Sequence, residues 1–393
     1  MMKGEMTPQE CPCAVATGHR ELSVGILACK ERGAEGFPLT PEGVEMLVSN
    51  GYSVKVEHDA AAPIHYSDNS FVRVGAAIVE RAEALKCDIV IHMPPLGKCD
   101  IAAMNRGALW LGWLGATALT RDVLVALAER GITSVALNLV EGTHGHKPFA
   151  DVMAEVEGRA AALLAASMLA DRSRNKGILL GGVAGVIPCE VTVIGSGIAA
   201  RAVGKSAAGL GAIVRMFDND TYSLRAAAAE IGLGVITSVL HPRVLLNALR
   251  TADVVVAAQE LSRYVVGADE VAEMKRGVIV MDLGQEKGAS FPSLPMVDAS
   301  EVAYGRAATC GAGRVCYVTP GDAVPRTGAM ALSNLFVSML SDIMAFDGMT
   351  SLLKASPGVQ RAVLTFMGKV VNAKVARSAG LRSVDISLFL TLS

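Results

Sequence analysis

The sequence predicts an α/β fold: two doubly wound domains joined by long helices. Three observations predict it. Short apolar runs alternate with helical segments both before and after the middle of the chain, the pattern of strands connected by crossover helices. One stretch, Val191 to Asp218, sets an apolar strand, a glycine turn, an alanine-rich helix, a second apolar strand and an acid in immediate succession. Between the two series, Asp151 to Arg174 reads as one long helix.

In chain order, a polar leader through residue 22 precedes a first strand at Ser23–Ala28. Thr40 and Pro41 supply an N-cap and a first-turn proline, which open a helix. Tyr52–Glu57 is the next strand. Asp88–Met93, Ala108–Leu114 and Ile132–Leu137 add three apolar runs, with a helix at Leu119–Arg130 between the last two. The second unit begins near Gly177 and carries the glycine turn, followed by strands at Gly234–Thr237, Val254–Ala258 and Val278–Leu283. From Pro325 the pattern turns helical, and Ala329–Ala345, apolar on one side, is expected to fold back over the first unit. The expected organisation is a leader at 1–22, a first domain at 23–150 completed by helices in 325–393, and a second domain with its connecting helix at 151–324.

A chain of 393 residues is long enough for two domains with separate cores. Apolar residues make up 51% and charged residues 19%, so some apolar surface is expected to be covered in a homo-oligomer. A net charge of −2 provides no basic field for nucleic acid and no polybasic patch for anionic lipid. The most apolar run, Ala160–Ala170, is bounded by Arg159 and Asp171 and is too short to cross a bilayer. The N-terminal residues lack the apolar core of a signal peptide, and a cytoplasmic location is expected. The eight cysteines have no zinc-type spacing and read as reduced thiols, so no metal is expected.

The stretch from Val191 to Asp218 has the spacing of a dinucleotide-binding unit. Gly195 lets the chain turn sharply out of the strand, with Ser196 in the turn. Gly197 has no side chain to block a pyrophosphate approaching the helix that opens at Ile198. Ala200 occupies the third small position, where helix and strand pack closely. Asp218 stands where a carboxylate accepts hydrogen bonds from both hydroxyls of an adenine ribose, and it would repel a 2′-phosphate, which favours NAD over NADP. Ligands of such sheets sit outside the carboxyl ends of the strands, so Ser238, Ala258, Gln259 and the segment after Asp282 are expected to line the cofactor crevice.

Several segments resemble one family. Lys30 and Glu31 with Leu39 to Val44, the helix Met153 to Arg159, the run Lys176 to Val186, and Ala323 to Thr327 with Ala331 to Asn334 are similar to successive parts of the alanine dehydrogenase and NAD(P) transhydrogenase α-subunit family. The resemblance implies two Rossmann-like domains enclosing a cleft, with the nicotinamide cofactor on the second and an amino-acid pocket on the first. It implies an NAD-dependent oxidoreductase that passes hydride between nicotinamide and an amino or imino acid, with an amino or 2-oxo acid as substrate. It also marks departures. The family's carboxylate-binding arginine falls on Gly36, beside Phe37 and Pro38. Its lysine falls on His92 or Pro94, and its catalytic histidine on Gly115. The acid after the last strand is kept as Glu286. These losses favour one alternative, an NAD-binding protein without turnover; a separate alternative is a soluble transhydrogenase α-subunit that needs a membrane partner. In the transhydrogenase case the mobile loop ahead of the long helix is replaced by Glu141 to Pro148.

The candidate catalytic residues are His92, Glu286 and Arg159. His92 ends a strand, where α/β proteins place reactive groups, and could bind a carboxylate or act as a base near neutral pH; the competing reading is a structural hydrogen bond. Glu286 follows the strand expected near the nicotinamide, where it would hold ribose or water, against a simple pairing with Lys287. The family's corresponding helix faces the cleft, which makes Arg159 a candidate to hold a substrate carboxylate; one turn from Glu155, it can equally pair with that residue. His144 and His146 read as solvated rather than metal-binding. Asp322 and Arg326, ahead of the last long helix, read equally well as cap and surface residues.

Overall fold

The computed structural model describes residues 22–29, 37–114, 119–173, 175–259, 264–303, 314–346 and 348–392. Residues 1–21 of the leader, Lys30, Glu31, Gly36 and Gly115 lie outside the described residues.

The first half supplies β1 (Ser23–Ile26), β2 (Ser53–Glu57), β3 (Ala77–Val79), β4 (Ile89–Ile91), β5 (Leu109–Gly112) and β6 (Thr133–Ala136). The second half supplies β7 (Glu190–Ile194), β8 (Ile213–Phe217), β9 (Val235–Ser238), β10 (Val254–Ala257), β11 (Ile279–Asp282), β12 (Met296–Asp298) and β13 (Cys316–Val318). Near the end come β14 (Val363–Phe366) and β15 (Lys369–Val370). The strands form two sheets, in the orders β15-β14-β6-β5-β4-β1-β2-β3 and β12-β13-β11-β10-β7-β8-β9. All pairings of the second sheet are parallel. In the first, β14 alone runs against the other strands, antiparallel to both β6 and β15. Strand order reverses between β1 and β4 and between β7 and β10, and the carboxyl ends at such switch points open crevices.

Each apolar run expected to be a strand overlaps one, most of them shorter than expected because the flanking positions lead into turns; β9 is instead shifted by one residue, to Val235–Ser238. The long helix runs over Pro148–Ala170 rather than Asp151–Arg174. Pro148 starts it, where a missing N–H costs nothing. Beyond Ala170 the chain turns, and Asp171 Oδ1 accepts both the backbone N–H and the hydroxyl of Ser173. The helix expected at Leu119–Arg130 spans Arg121–Glu129, capped by Thr120. The tail is not purely helical as expected: β14 extends the first sheet beside β6, and Thr365 is tied to Ser134 by a 2.6 Å hydroxyl contact.

Two helices connect the sheets. Pro148–Ala170 packs on the helix Ile198–Gly209 so closely that a Cβ on Gly158 would stand 2.3 Å from the Ala199 carbonyl oxygen. The return helix Pro325–Ala345 lays Leu332, Phe336 and Leu340 into the core under the first sheet, with Val24, Val44, Leu47 and Val54. Tyr52 Oη donates to the Leu340 carbonyl at 2.6 Å, and the Thr40 N–H donates to Ser333 Oγ at 3.2 Å. Among the described residues this helix alone is long and apolar enough to cross a membrane by length and composition. Its inward face is core.

Candidate functional site

β7 delivers the chain to Gly195, whose φ of +117° lies in the region that favours glycine. A Cβ there would lie 2.3 Å from the Ala258 carbonyl oxygen at the end of β10, so a side chain is excluded by sterics as well as by conformation. Ser196 is buried. Gly197 caps the helix Ile198–Gly209, and a Cβ added to it would meet nothing within 4 Å. That open space lies at the helix N-terminus, whose free N–H groups attract an anion. Ala200 is completely buried.

Asp218 follows β8 directly. Its Oδ2 accepts the Ser196 hydroxyl at 2.7 Å, and its Oδ1 accepts the Asp220 N–H at 3.0 Å. The glycine turn thus holds the carboxylate at the rim of the crevice before any ligand arrives, with lone pairs left for ribose hydroxyls. The Ser238 carbonyl accepts the Asp218 N–H at 3.2 Å. Ala258 continues β10 through its N–H bond to Ile194. Gln259 closes a two-way amide link with the backbone of Tyr264, both bonds 3.0 Å. Gly195, Ser196, Gly197, Ile198, Asp218, Ser238, Ala258 and Gln259 therefore gather along one edge of the second sheet, and the open cradle over Gly197 beside the oriented Asp218 fits a dinucleotide.

Two acids at this edge were not singled out from the sequence. Asp282, the buried last residue of β11, accepts the N–H groups of Gly284 and Ser290, both at 2.9 Å. Burial raises its pKa, and these bonds oppose the rise. It shapes the loop that exposes Glu286, whose carboxylate makes no hydrogen bond or ion pair with any described residue, Lys287 included. Glu157, on the connecting helix, accepts the Gly321 N–H at 2.8 Å. Its carboxyl is enclosed although the residue as a whole is only partly buried, and burial followed by the charge of Asp322 pushes its pKa up to about 7. No periodic pattern could have revealed it, because the enclosure comes from the Pro320–Ala323 turn far away in sequence.

At the carboxyl edge of the first sheet, His92 is buried, with Nδ1 2.9 Å from the Pro94 carbonyl. A carbonyl only accepts, so Nδ1 carries the proton. Burial, then the nearby Arg81 charge, lowers its pKa. Arg81 joins Glu57 at 2.9 Å and Asp100 at 2.7 Å, another group invisible to local pattern. Arg159 is half exposed and paired with Glu155 Oε1 at 2.6 Å. His144 and His146 are exposed. Among the described residues, the grouping with ligand atoms close enough for a metal is the largely exposed His58, Asp59 and Asp68, on neither strand-end crevice of the second sheet. An open concavity of about 430 Å³, lined by Ile178, Val186, Cys189, Asp253 and Lys275, lies at the opposite, amino edge of the second sheet, away from the glycine turn.

Comparison with known proteins agrees with this arrangement. Residues 28–157 match the alanine dehydrogenase/PNT N-terminal domain, and residues 161–373 match the C-terminal domain. The alanine dehydrogenase of Mycolicibacterium smegmatis is 29% identical over 361 residues, covering 90% of this chain and 95% of the relative. A solved L-alanine dehydrogenase superposes with a TM-score of 0.79 at 22% identity, over 91% of this chain and 98% of that one. The transhydrogenase of Sinorhizobium meliloti superposes with a TM-score of 0.73 at 19% identity, over 89% and 100%. The chain belongs to the alanine dehydrogenase/PNT family, whose members are NAD-dependent oxidoreductases.

Proposed function

We propose that the protein is an NAD-dependent dehydrogenase that interconverts an amino acid and its 2-oxo or imino acid. In the reductive direction a 2-oxo acid, ammonia, a hydride and a proton give the amino acid and water. The nicotinamide, when bound, supplies that hydride at C4. The chain's part is to bind, orient and exclude water. Gly195, Gly197 and the helix start at Ile198 take the pyrophosphate, and Asp218, oriented by Ser196, takes the ribose. Ser238, Ala258 and Gln259 border the crevice. Glu286, unpaired at the end of β11, is assigned to ribose or water near the nicotinamide. His92, neutral at neutral pH, is assigned a hydrogen-bonding role toward substrate, and Arg159 a secondary one once Glu155 releases it.

The observation that carries this reading is the Ser196–Asp218 hydrogen bond beneath the open space at Gly197. The test is NADH oxidation with a panel of 2-oxo acids and ammonia or amines. NADH binding without turnover on any of them would leave a nucleotide-binding protein instead. Co-purification with an integral membrane subunit would favour a transhydrogenase α-subunit. A cytoplasmic homo-oligomer completes the proposal, supported by exposed Leu179, Val183, Val186 and Ile187 on one segment; light scattering decides it.

A further inference from the structure

Arg326 follows the Pro320–Ala323 turn, which leaves the carboxyl end of β13 in the second sheet. Its guanidinium carbon lies 4.4 Å from the centroid of the Tyr66 ring. Tyr66 belongs to the segment after β2, beyond the carboxyl end of that strand in the first sheet. The pair therefore links the carboxyl edges of the two sheets, the edges where parallel sheets hold their ligands.

The ring is itself fixed. Tyr66 stands edge-on to Phe71, with centroids 6.3 Å apart, and Phe71 edge-on to Phe37, at 5.7 Å. A guanidinium lying on a ring face has its plane set by the ring while its N–H edges remain available for a bidentate carboxylate. Arg326 is exposed and forms no hydrogen bond or ion pair with any described residue. Two other described arginines differ. Arg81 is already engaged by Glu57 and Asp100, and Arg159 by Glu155. A carboxylate entering between the sheets would meet those two as neutralised pairs and Arg326 as an uncompensated cation.

We propose that Arg326, held on the Tyr66 ring, binds the carboxylate of the 2-oxo or amino acid substrate. The substrate class rests on the dehydrogenase reading above; the cation and its support are assigned from the stacking geometry.

The test is calorimetric titration of the NADH-loaded protein with pyruvate, phenylpyruvate and the unreactive analogue oxamate, run beside turnover assays. The wild type is expected to bind at least one probe. Arg326→Gln should weaken that binding about 10- to 100-fold, the size of a lost charge-assisted pair, while NADH affinity stays within about twofold. Arg326→Lys should fall between, and methylguanidine should restore part of the affinity of Arg326→Ala, which a merely structural role would not allow. Tyr66→Leu should raise KM with kcat little changed, as expected of a positioning residue. Unchanged probe affinity in Arg326→Gln overturns the arginine assignment and leaves the dehydrogenase reading standing if the wild type turns over. Binding that depends on Arg326 without turnover sinks the dehydrogenase reading and keeps the assignment. A wild type that binds none of the three probes sinks both.

Discussion

Glu157 Oε2 accepts the Gly321 N–H at 2.8 Å, which ties the connecting helix to the turn from which the return helix departs. Gly321 permits the contact, since a Cβ there would stand 2.1 Å from the same oxygen. Burial first, then the charges of Asp322 and Asp298, favour the protonated form of Glu157, and the Gly321 N–H and Lys287 oppose them. The folded value of about 7 exceeds the ordinary 4.5, so the folded chain holds a proton that the unfolded chain has released. The resulting stability is fully present below pH 4.5 and is lost as pH rises through about 7. Gln at this position keeps the acceptor without the charge. Glu157→Gln should match the wild type near pH 4 and exceed it by about 3 kcal/mol at pH 8, measured by denaturant unfolding. A difference that is flat with pH would refute the placement of this proton.

Gly195 and Gly197 should differ in stability, though not in the loss of NADH binding, under the same substitution. At Gly195 an alanine meets the Ala258 carbonyl at 2.3 Å and a positive φ, so Gly195→Ala should cost about 2–4 kcal/mol in stability and abolish NADH binding. At Gly197 the added methyl points into open space and φ is −68°. Gly197→Ala should fold with wild-type stability yet bind NADH at least about tenfold more weakly, because the methyl occupies the approach of the pyrophosphate. Paired thermal melts and fluorescence titrations check both; wild-type affinity in Gly197→Ala would place the cofactor elsewhere.

Much of this was legible in the sequence because the glycine unit is local. A strand, a turn, a helix start and an acid at the end of the next strand are fixed by short-range geometry, and Gly195, Gly197 and Asp218 fall along one edge as expected. The strands β3, β12, β13 and β15 were not legible, since two or three residues are too few to show a period. Nor was β14, where the chain returns to pair with β6 from the far end of the sequence. The same reason hid Glu157 against Gly321 and Arg81 between Glu57 and Asp100. Enclosure by remote segments leaves no trace in neighbouring residues. The Glu155–Arg159 pair was legible because it spans one helical turn.

Arg81 sits between two carboxylates, of which Glu57 has a side chain only 5% exposed. Glu57 also accepts the Ala28 N–H at 2.8 Å, so it holds the end of β1 as well. Removing the cation leaves a buried carboxylate without its paired charge, although the Ala28 N–H stays in place. Arg81→Met should therefore destabilise by about 3–5 kcal/mol, whereas the double variant with Glu57→Gln should recover much of that loss. Chemical unfolding of the two variants provides the measurement, and an additive double variant would contradict the pairing.

Asp218 should govern cofactor choice. Its two oxygens are held by Ser196 and Asp220, so the charge faces a fixed direction at the crevice rim. A ribose with two free hydroxyls donates to it, and a 2′-phosphate is repelled. Asp218→Ala should weaken NADH by about 10- to 100-fold and NADPH much less, so the ratio of the two affinities moves toward NADPH. Ser196→Ala keeps the carboxylate but frees it to rotate, and should weaken NADH by only a few-fold with the preference retained. Titrations of both nucleotides against both variants separate charge from orientation. Equal losses of NADH and NADPH in Asp218→Ala would show that the carboxylate does not meet the ribose.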